Sequence, residues 1–255
     1  MKIVLIFYIV LIMSGCRDTN TTQPLSNETW NVTDYFPLSS GNSWTYDLHR
    51  NSTAYGDTVI VWTVSIDSTF TIDSVEWHHV VNGCIQFFPG SGVESPPNVL
   101  CGSLAIFGGN LITMRPDVSD PRILRQVTIL NEPLLIGKDW IDWSVDTTVN
   151  FEGGLFDRRI EKIKRGIQNL ELVRVQAGTF VALHLQDSTM GVREWKTGLG
   201  TFWDSTSLVS NEWYVSGIGM VKRTVAGARR RSDGRFGALT NMESQLRSYS
   251  VLDKE

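Results

Sequence analysis

"DTVIVWTVSI", residues Asp57 to Ile66, decides the fold. Its β-branched and aromatic residues suit a pleated, half-buried surface, and Ile60, Trp62, Val64 and Ile66 fall on one face of an extended chain. Working outward, "STFTIDSVEWHHVV" continues the alternation as far as Asn82-Gly83, a hairpin signal. "NLITMR", "RILRQVTIL" and "WIDWSVDTTVNFEG" read as further strands. So do "GTFVALHLQDS", "EWYVSGIGMVKRTVAG" and "MESQLRSYSVL", with Asp233-Gly234 in the turn between the last two. In "FDRRIEKIKRGIQNLELVRV" the spacing of Ile160 and Ile163 suits one helical turn, but Gly166 breaks the run, and a hairpin is expected. No stretch offers an amphipathic helix of more than three turns. The expected fold is mainly β: a single antiparallel, strongly curved sheet or open barrel, with a two-sheet sandwich as the alternative.

One frame occurs twice. "YFPLSSGNSWTY" (Tyr35 to Tyr46) and "EPLLIGKDWIDW" (Glu132 to Trp143) share P-L-x-x-G-x-x-W, beginning at Pro37 and Pro133. Proline cannot donate to a sheet ladder and belongs before a strand or turn, glycine permits positive φ, and the Trp brings a large apolar surface into the sheet. Each copy predicts a turn that delivers an aromatic into a strand. Two copies suggest two related sheet halves, with chance agreement at four positions as the rival explanation.

The N-terminus reads "MKIVLIFYIVLIMSGC". Lys2 precedes an apolar run from Ile3 to Met13, shorter than the roughly 20 residues a membrane-spanning helix needs, so residues 1–15 read as an export signal. Met13-Ser14-Gly15-Cys16 resembles a bacterial lipobox, in which the cysteine is lipidated and becomes the first mature residue. Met13 stands where Leu is commonest. The chain is then tethered to a membrane rather than threaded through it. Arg17 follows Cys16; in the sorting scheme this resembles, Asp at that place signals inner-membrane retention, so the outer membrane is expected. Residues 16–34, rich in Thr and Asn and without periodicity, read as a flexible tether, and residues 35–255 as one β-rich domain.

Composition narrows the partners. The net charge of −4 becomes −5 when residues 1–15 are removed, because Lys2 is the only charged residue among them, and such a chain is no nucleic-acid binder. With Cys16 lipidated, Cys84 and Cys101 remain as a pair in an oxidising compartment and are expected to form a disulfide, worth about 3 kcal/mol on the chain-entropy model.

Candidates for chemistry are few. G-x-S-x-G, phosphate-binding glycine loops and H-E-x-x-H are all missing from the sequence. Glu76 and His78 share a strand face and His184 could join them, but no metal or other cofactor is expected. Asp139, Asp142 and Asp146 lie among Trp140 and Trp143, and Asp142 and Asp146 share strand parity as a glycosidase pair would; acids on the solvent face of a strand whose aromatics are buried explain them better. Trp44, Trp62, Trp140 and Trp213 read as core. "REWKTGLGTFWDS" places Trp195 and Trp203 in a Gly-bearing segment, the best place for an exposed aromatic ligand site. Arg229, Arg230 and Arg231, with Arg235, lie near an expected hairpin tip, as a solvated loop or a patch for an anionic partner.

Three stretches together resemble a group of bacterial envelope lipoproteins of unknown function: "YFPLSSGNSWTY", "VRVQAGTFVALHL" (Val173 to Leu185) and "EWYVSGIGMVKRT" (Glu212 to Thr224). That group commonly carries Y-F-P-L-x-x-G-x-x-W-x-Y, V-P-A-G-T-F and W-Y-x-x-G-V-G-x-V-K; here Gln176 replaces Pro and Ile218 replaces Val. The resemblance implies export, anchoring and a β-rich body, and brings no catalytic residues with it. The resulting expectation is a non-enzymatic, lipid-anchored envelope protein that binds a partner protein or an apolar ligand such as a lipid. The alternatives are a surface glycan-binding module with exposed Trp in a row and, third, a hydrolase using Asp142 and Asp146.

Overall fold

The structure, a computed structural model, describes residues 29–52, 56–81, 103–116, 124–232 and 236–252. The Cys16, Cys84, Cys101 and Arg235 expectations, and the turns at Asn82-Gly83 and Asp233-Gly234, lie outside those residues. A four-residue helix, α1 (Val32–Tyr35), precedes β1 (Ser43–Ser52), β2 (Gly56–Ile72), β3 (Val75–Val81), β4 (Leu104–Phe107), β5 (Asn110–Pro116) and β6 (Leu124–Leu130). A second run follows: β7 (Asp139–Phe151), β8 (Leu155–Val175), β9 (Gly178–Thr197), β10 (Gly200–Val215), β11 (Gly219–Arg231) and β12 (Phe236–Ser250). All belong to one antiparallel sheet of order β6-β5-β4-β3-β2-β1-β12-β11-β10-β9-β8-β7.

That order is two six-strand meanders joined where β1 pairs with β12. The outermost strands, β6 and β7, are consecutive in the chain, so the sheet curls until its two edges meet. They meet without a ladder. Asp142 Oδ1 accepts the Thr128 backbone N–H at 2.5 Å, Trp140 Nε1 donates to the Thr128 carbonyl at 3.5 Å, and Val127, Val145 and Ile163 pack across the seam. The fold is therefore a single rolled sheet left open, as the alternation predicts, and not a sandwich.

The repeated frame makes the same structure twice. Gly41 and Gly137 have φ of 92° and 83°, and each occupies the third place of a turn closed by Asn42 N–H to Ser39 O (3.1 Å) or Lys138 N–H to Leu135 O (3.0 Å). Gly41 N–H donates to Ile66 O at 2.8 Å and Ile66 N–H to Asn42 O at 2.9 Å; Gly137 and Ile167 repeat this at 2.7 and 2.9 Å with Lys138. Even the side chain after each glycine acts alike, Asn42 Nδ2 reaching Pro37 O at 3.0 Å and Lys138 Nζ reaching Pro133 O at 3.1 Å. Each Trp then enters the first strand of its meander, Trp44 opposite Val64 and Trp140 opposite Arg165.

The first copy, the α1 segment and the β10–β11 turn close one end of the roll. Trp44 Nε1 donates to Ile218 O at 2.5 Å, Tyr46 Oη to Met220 O at 2.9 Å and Gly217 N–H to Asp34 O at 2.6 Å, while Phe36 packs on both Trp44 and Tyr214. The β8–β9 tip joins them: Val173, Val175 and Ala182 are buried in the same core, and Ala177 N–H donates to Leu246 O at 3.0 Å. All three stretches that carry the family resemblance thus meet at one end of the sheet. The β7–β8 and β9–β10 turns lie at the other, open end.

Three expectations are corrected. Residues 155–175 form one strand with a bulge at Gln168, not a hairpin. Gly166 is not a turn residue: a Cβ there would lie 2.1 Å from Asp139 Oδ1, so it marks a close approach across the ladder. The β2–β3 turn is made by Asp73 and Ser74 at φ 49° and 64°, a left-handed pair without glycine inside a stretch that reads as continuous strand. And the body begins earlier than residue 35: Trp30 bridges Leu134 and Val32 is fully buried, although both lie in the stretch read as tether.

The two turns make a matched test. A Cβ at Gly137 would meet nothing within 4 Å, so Gly137→Ala is expected to cost about 1–2 kcal/mol from its positive φ alone. At Gly41 the Cβ would also sit 3.2 Å from Leu252 Cδ1, so Gly41→Ala is expected to cost more. Urea midpoints of the two variants check the order; equal losses would contradict it.

Candidate functional site

The inner face of the second meander is set by strand parity. Between the open end and the bulge at Gln168, odd positions of β8 and β9 and even positions of β10 face inward, since Arg165 pairs with Asp187 and Asp187 with Ser210, and all three are buried. From the closed end outward this face carries an apolar core, a charged belt, an apolar layer, an arginine row and an aromatic rim.

The belt is built around Arg165. Its Nε lies 3.1 Å from Asp142 Oδ2, Nη2 lies 3.9 Å from Asp187 Oδ2, and Nη1 lies 3.7 Å from Glu212 Oε2. Arg223 Nε is 3.2 Å from Glu212 Oε1 and donates to Ser210 Oγ at 3.2 Å, while Tyr214 Oη donates to Glu212 Oε2 at 2.8 Å. Asp142 arrives through a bulge: Ile141 pairs with Lys164 and Trp143 with Ile163, leaving Asp142 as the extra residue, its side chain wholly buried. Three carboxylates thus share two guanidiniums. Burial pushes the Asp187 carboxyl up despite Arg165. Burial also opposes ionisation of Glu212, but Arg223, Arg165 and the Tyr214 hydroxyl outweigh it and hold that carboxyl below its ordinary value. Burial and the Glu212 charge drive the Tyr214 hydroxyl well up.

At the open end the register lines up Arg159, Arg193, Asp204 and Arg231 in one row across β8 to β11. Asp157, Trp195 and Phe202 form the next row outward. Asp157 Oδ2 lies 2.8 Å from Arg193 Nη2 and 3.2 Å from Arg159 Nη2, and the bond from Arg193 is the main reason its carboxyl sits below the ordinary range. Trp195 stacks on Phe202 with centroids 5.9 Å apart, and the Arg193 guanidinium lies over the Trp195 ring at 5.1 Å. Arg229 pairs with Asp204. Val149 and Phe151, at inward-facing positions of β7, stay 46 and 54 % exposed.

The residues singled out in the sequence are sorted by this register. Because Phe202 pairs with Trp195, Trp203 points to the outer face, so the two tryptophans do not form one site. Among tryptophans with described side chains, only Trp203 is exposed, at 44 %, which leaves no row of tryptophans for a sugar. The arginine run lies in β11 rather than in a loop: Arg229 and Arg231 face inward and Arg230 outward. Asp142 and Asp146 share no cleft, the first buried against Arg165 and the second exposed and held by Arg158 at 3.0 Å. Asp139 pairs with Lys164 at 2.6 Å. His78 lies 3.4 Å from Glu76, but His184 is stacked on Trp213 elsewhere, and no group of three metal-ligating side chains occurs among the described residues. The sequence reading missed Asp157, Arg159, Arg193 and, Asp142 apart, the belt. Their signal is the period-two run Asp157, Arg159, Glu161, Ile163, Arg165, hidden by reading a hairpin there.

The belt gives a signed pH test. Arg165→Met would leave three buried carboxylates with one guanidinium and is expected to cost about 3–5 kcal/mol at neutral pH. Asp187 has a raised folded-state pKa, so its stabilising share is complete below the unfolded carboxylate value and disappears as pH rises through the folded one. Glu212 runs the other way, losing its share as pH falls through its depressed value. Asp187→Asn is therefore expected to keep or raise the melting temperature at pH 7–8 and to lower it relative to the parent near pH 3. Melting curves across that range check it; a loss at pH 8 matching that of Arg165→Met would refute it.

No protein-family model matches the chain, and neither does any curated protein. Two solved structures resemble it. One is described as an exported protein with a YmcC-like fold from Bacteroides fragilis, 14 % identical with a TM-score of 0.39, covering 85 % of this chain and 98 % of that one. The other is described as a lipoprotein from Parabacteroides distasonis, 12 % identical with a TM-score of 0.40, covering 84 % and 97 %.

Proposed function

We propose that the chain is a non-enzymatic, lipid-anchored protein of the bacterial outer membrane whose rolled sheet binds an apolar ligand on its inner face at the open end. The observation that carries this is the rim. Val149, Phe151, Trp195 and Phe202 occupy positions equivalent to fully buried ones deeper in the roll, yet Val149 and Phe151 remain about half exposed. Covering apolar surface is worth roughly 25 cal/mol per Å2, so a ligand with an apolar part gains by lying there.

The anchor rests on the leader and on Cys16. Cys16 precedes Trp30 by fourteen positions, a reach of at most about 50 Å at about 3.6 Å per residue, and Trp30 sits at the closed end. Binding is favoured over hydrolysis because Asp142 and Asp146 face different surroundings, each tied to its own arginine.

Two measurements test the reading. Cys16→Ser is expected to abolish incorporation of labelled palmitate and to release the protein from the membrane fraction; retention of both would overturn the anchor. In calorimetry on the chain from Arg17 onward, which keeps every contact described above, octanol is expected to bind saturably. Trp195→Ala is expected to weaken it roughly tenfold. Absence of saturable binding would sink the ligand reading.

A further inference from the structure

We infer that the ligand of the open end is a single-chain amphiphile with an oxyanion head, carboxylate or phosphate, held by the inward-facing arginine row while its chain lies on the Trp195–Phe202 rim. This rests on the binding reading above and adds the chemistry of the head.

Arg159 and Arg193 are direct cross-strand partners, an arrangement that destabilises a sheet unless an anion lies between them. The Asp157 carboxylate touches both. On the neighbouring strands Arg231 stands opposite Asp204, which is already paired with Arg229. On the inner face of β8 to β11, with Glu161 counted, the four guanidiniums of Arg159, Arg193, Arg229 and Arg231 meet the three carboxylates of Asp157, Glu161 and Asp204, a local surplus of one positive charge in a chain whose net charge is −4. One monoanionic head restores the balance. Guanidinium forks match carboxylate and phosphate oxygens, and such charge-assisted bonds are about twice as strong as neutral ones.

The position of the head relative to the rim is equally defined. Arg193 lies over the Trp195 ring and its side chain is 42 % exposed, so it can turn a donor to a ligand without uncovering the core. Trp195 and Phe202 continue the same face one row further out, beside Val149 opposite Asp157 and Phe151 opposite Leu155. Cationic and apolar surfaces therefore abut on one concave strip, which an ion alone or an alkane alone would fill only in part.

The experiment is a calorimetric titration of the chain from Arg17 onward with octanol, octanoate, octyl phosphate and inorganic phosphate. Octanoate or octyl phosphate is expected to bind roughly tenfold more tightly than octanol, with the advantage shrinking as salt is raised. Which of the two anions leads names the head. Arg193→Gln is expected to remove the advantage while leaving octanol binding in place, and Arg193→Lys to restore part of it. If octanol binds as tightly as both anions, the oxyanion head is wrong and the apolar site stands. If inorganic phosphate matches octyl phosphate, the site takes free anions and the amphiphile is wrong. If none of the four binds, the apolar-ligand reading falls with it.

Discussion

A sheet rolled back on itself has to do something with its two edges, and here the Asp142 carboxylate does it. One oxygen takes the Thr128 N–H from the far edge strand and the other takes the Arg165 guanidinium from the adjacent one. Unpaired edge groups invite pairing with other chains; a side chain that supplies the missing acceptor blunts the edge at little structural cost. The bulge shifts the register of β7 against β8 by one residue, so that Trp140 before it and Val145 after it both face inward. Arg165 then passes the constraint inward through Asp187 and Glu212 to Arg223, so the curvature across five strands is tied to one connected set of charges. Each ion in that set is tolerable only because the others are present.

The two meanders start alike and then diverge. After matching turns, Trp44 and Trp140 each donate an indole N–H to a backbone carbonyl, Ile218 in one case and Thr128 in the other. Two residues further on the chain writes Tyr46 in the first half and Asp142 in the second. Tyr46 runs into the apolar core and ends on Met220 O, which seals the closed end. Asp142 goes to the seam. One local device thus serves both ends of the sheet, with the residue two places after the Trp deciding whether it plugs or latches.

The alternation of β-branched residues made the single antiparallel sheet readable, and the P-L-x-x-G-x-x-W frame made both strand entries readable, because each depends on local chemistry alone. What resisted reading depends on parity. A bulge at Gln168 or Asp142 leaves no composition mark, yet it changes which face every later residue occupies. Gly166 looked like a turn because glycine usually signals backbone freedom, whereas here it signals the Asp139 side chain lying over the strand. Trp195 and Trp203, eight positions apart, seem to share a face until the tight turn at 197–200 fixes Phe202 opposite Trp195. The arginine run was visible as charge but not as a row, because a row is assembled from four strands and a single sequence carries no register between them.

Register also limits how deep a ligand can lie. Trp195 lies eight positions along β9 from Asp187, roughly 26 Å at about 3.3 Å per residue, and on that strip Arg193 is followed by Gly191 and Thr189 before the belt begins. Gly227 opposite Leu208 keeps the layer thin there: a Cβ at Gly227 would come within 2.4 Å of Ser207 O, so the Leu208 side chain fills the place a larger residue would take. Beyond that layer an alkyl chain would have to part Arg165 from its carboxylates, exposing charges that one another, the Thr128 N–H and a few hydroxyls satisfy. The belt that holds the roll is therefore also the floor of the candidate site, and it confines any apolar ligand to the outer half of the concave face.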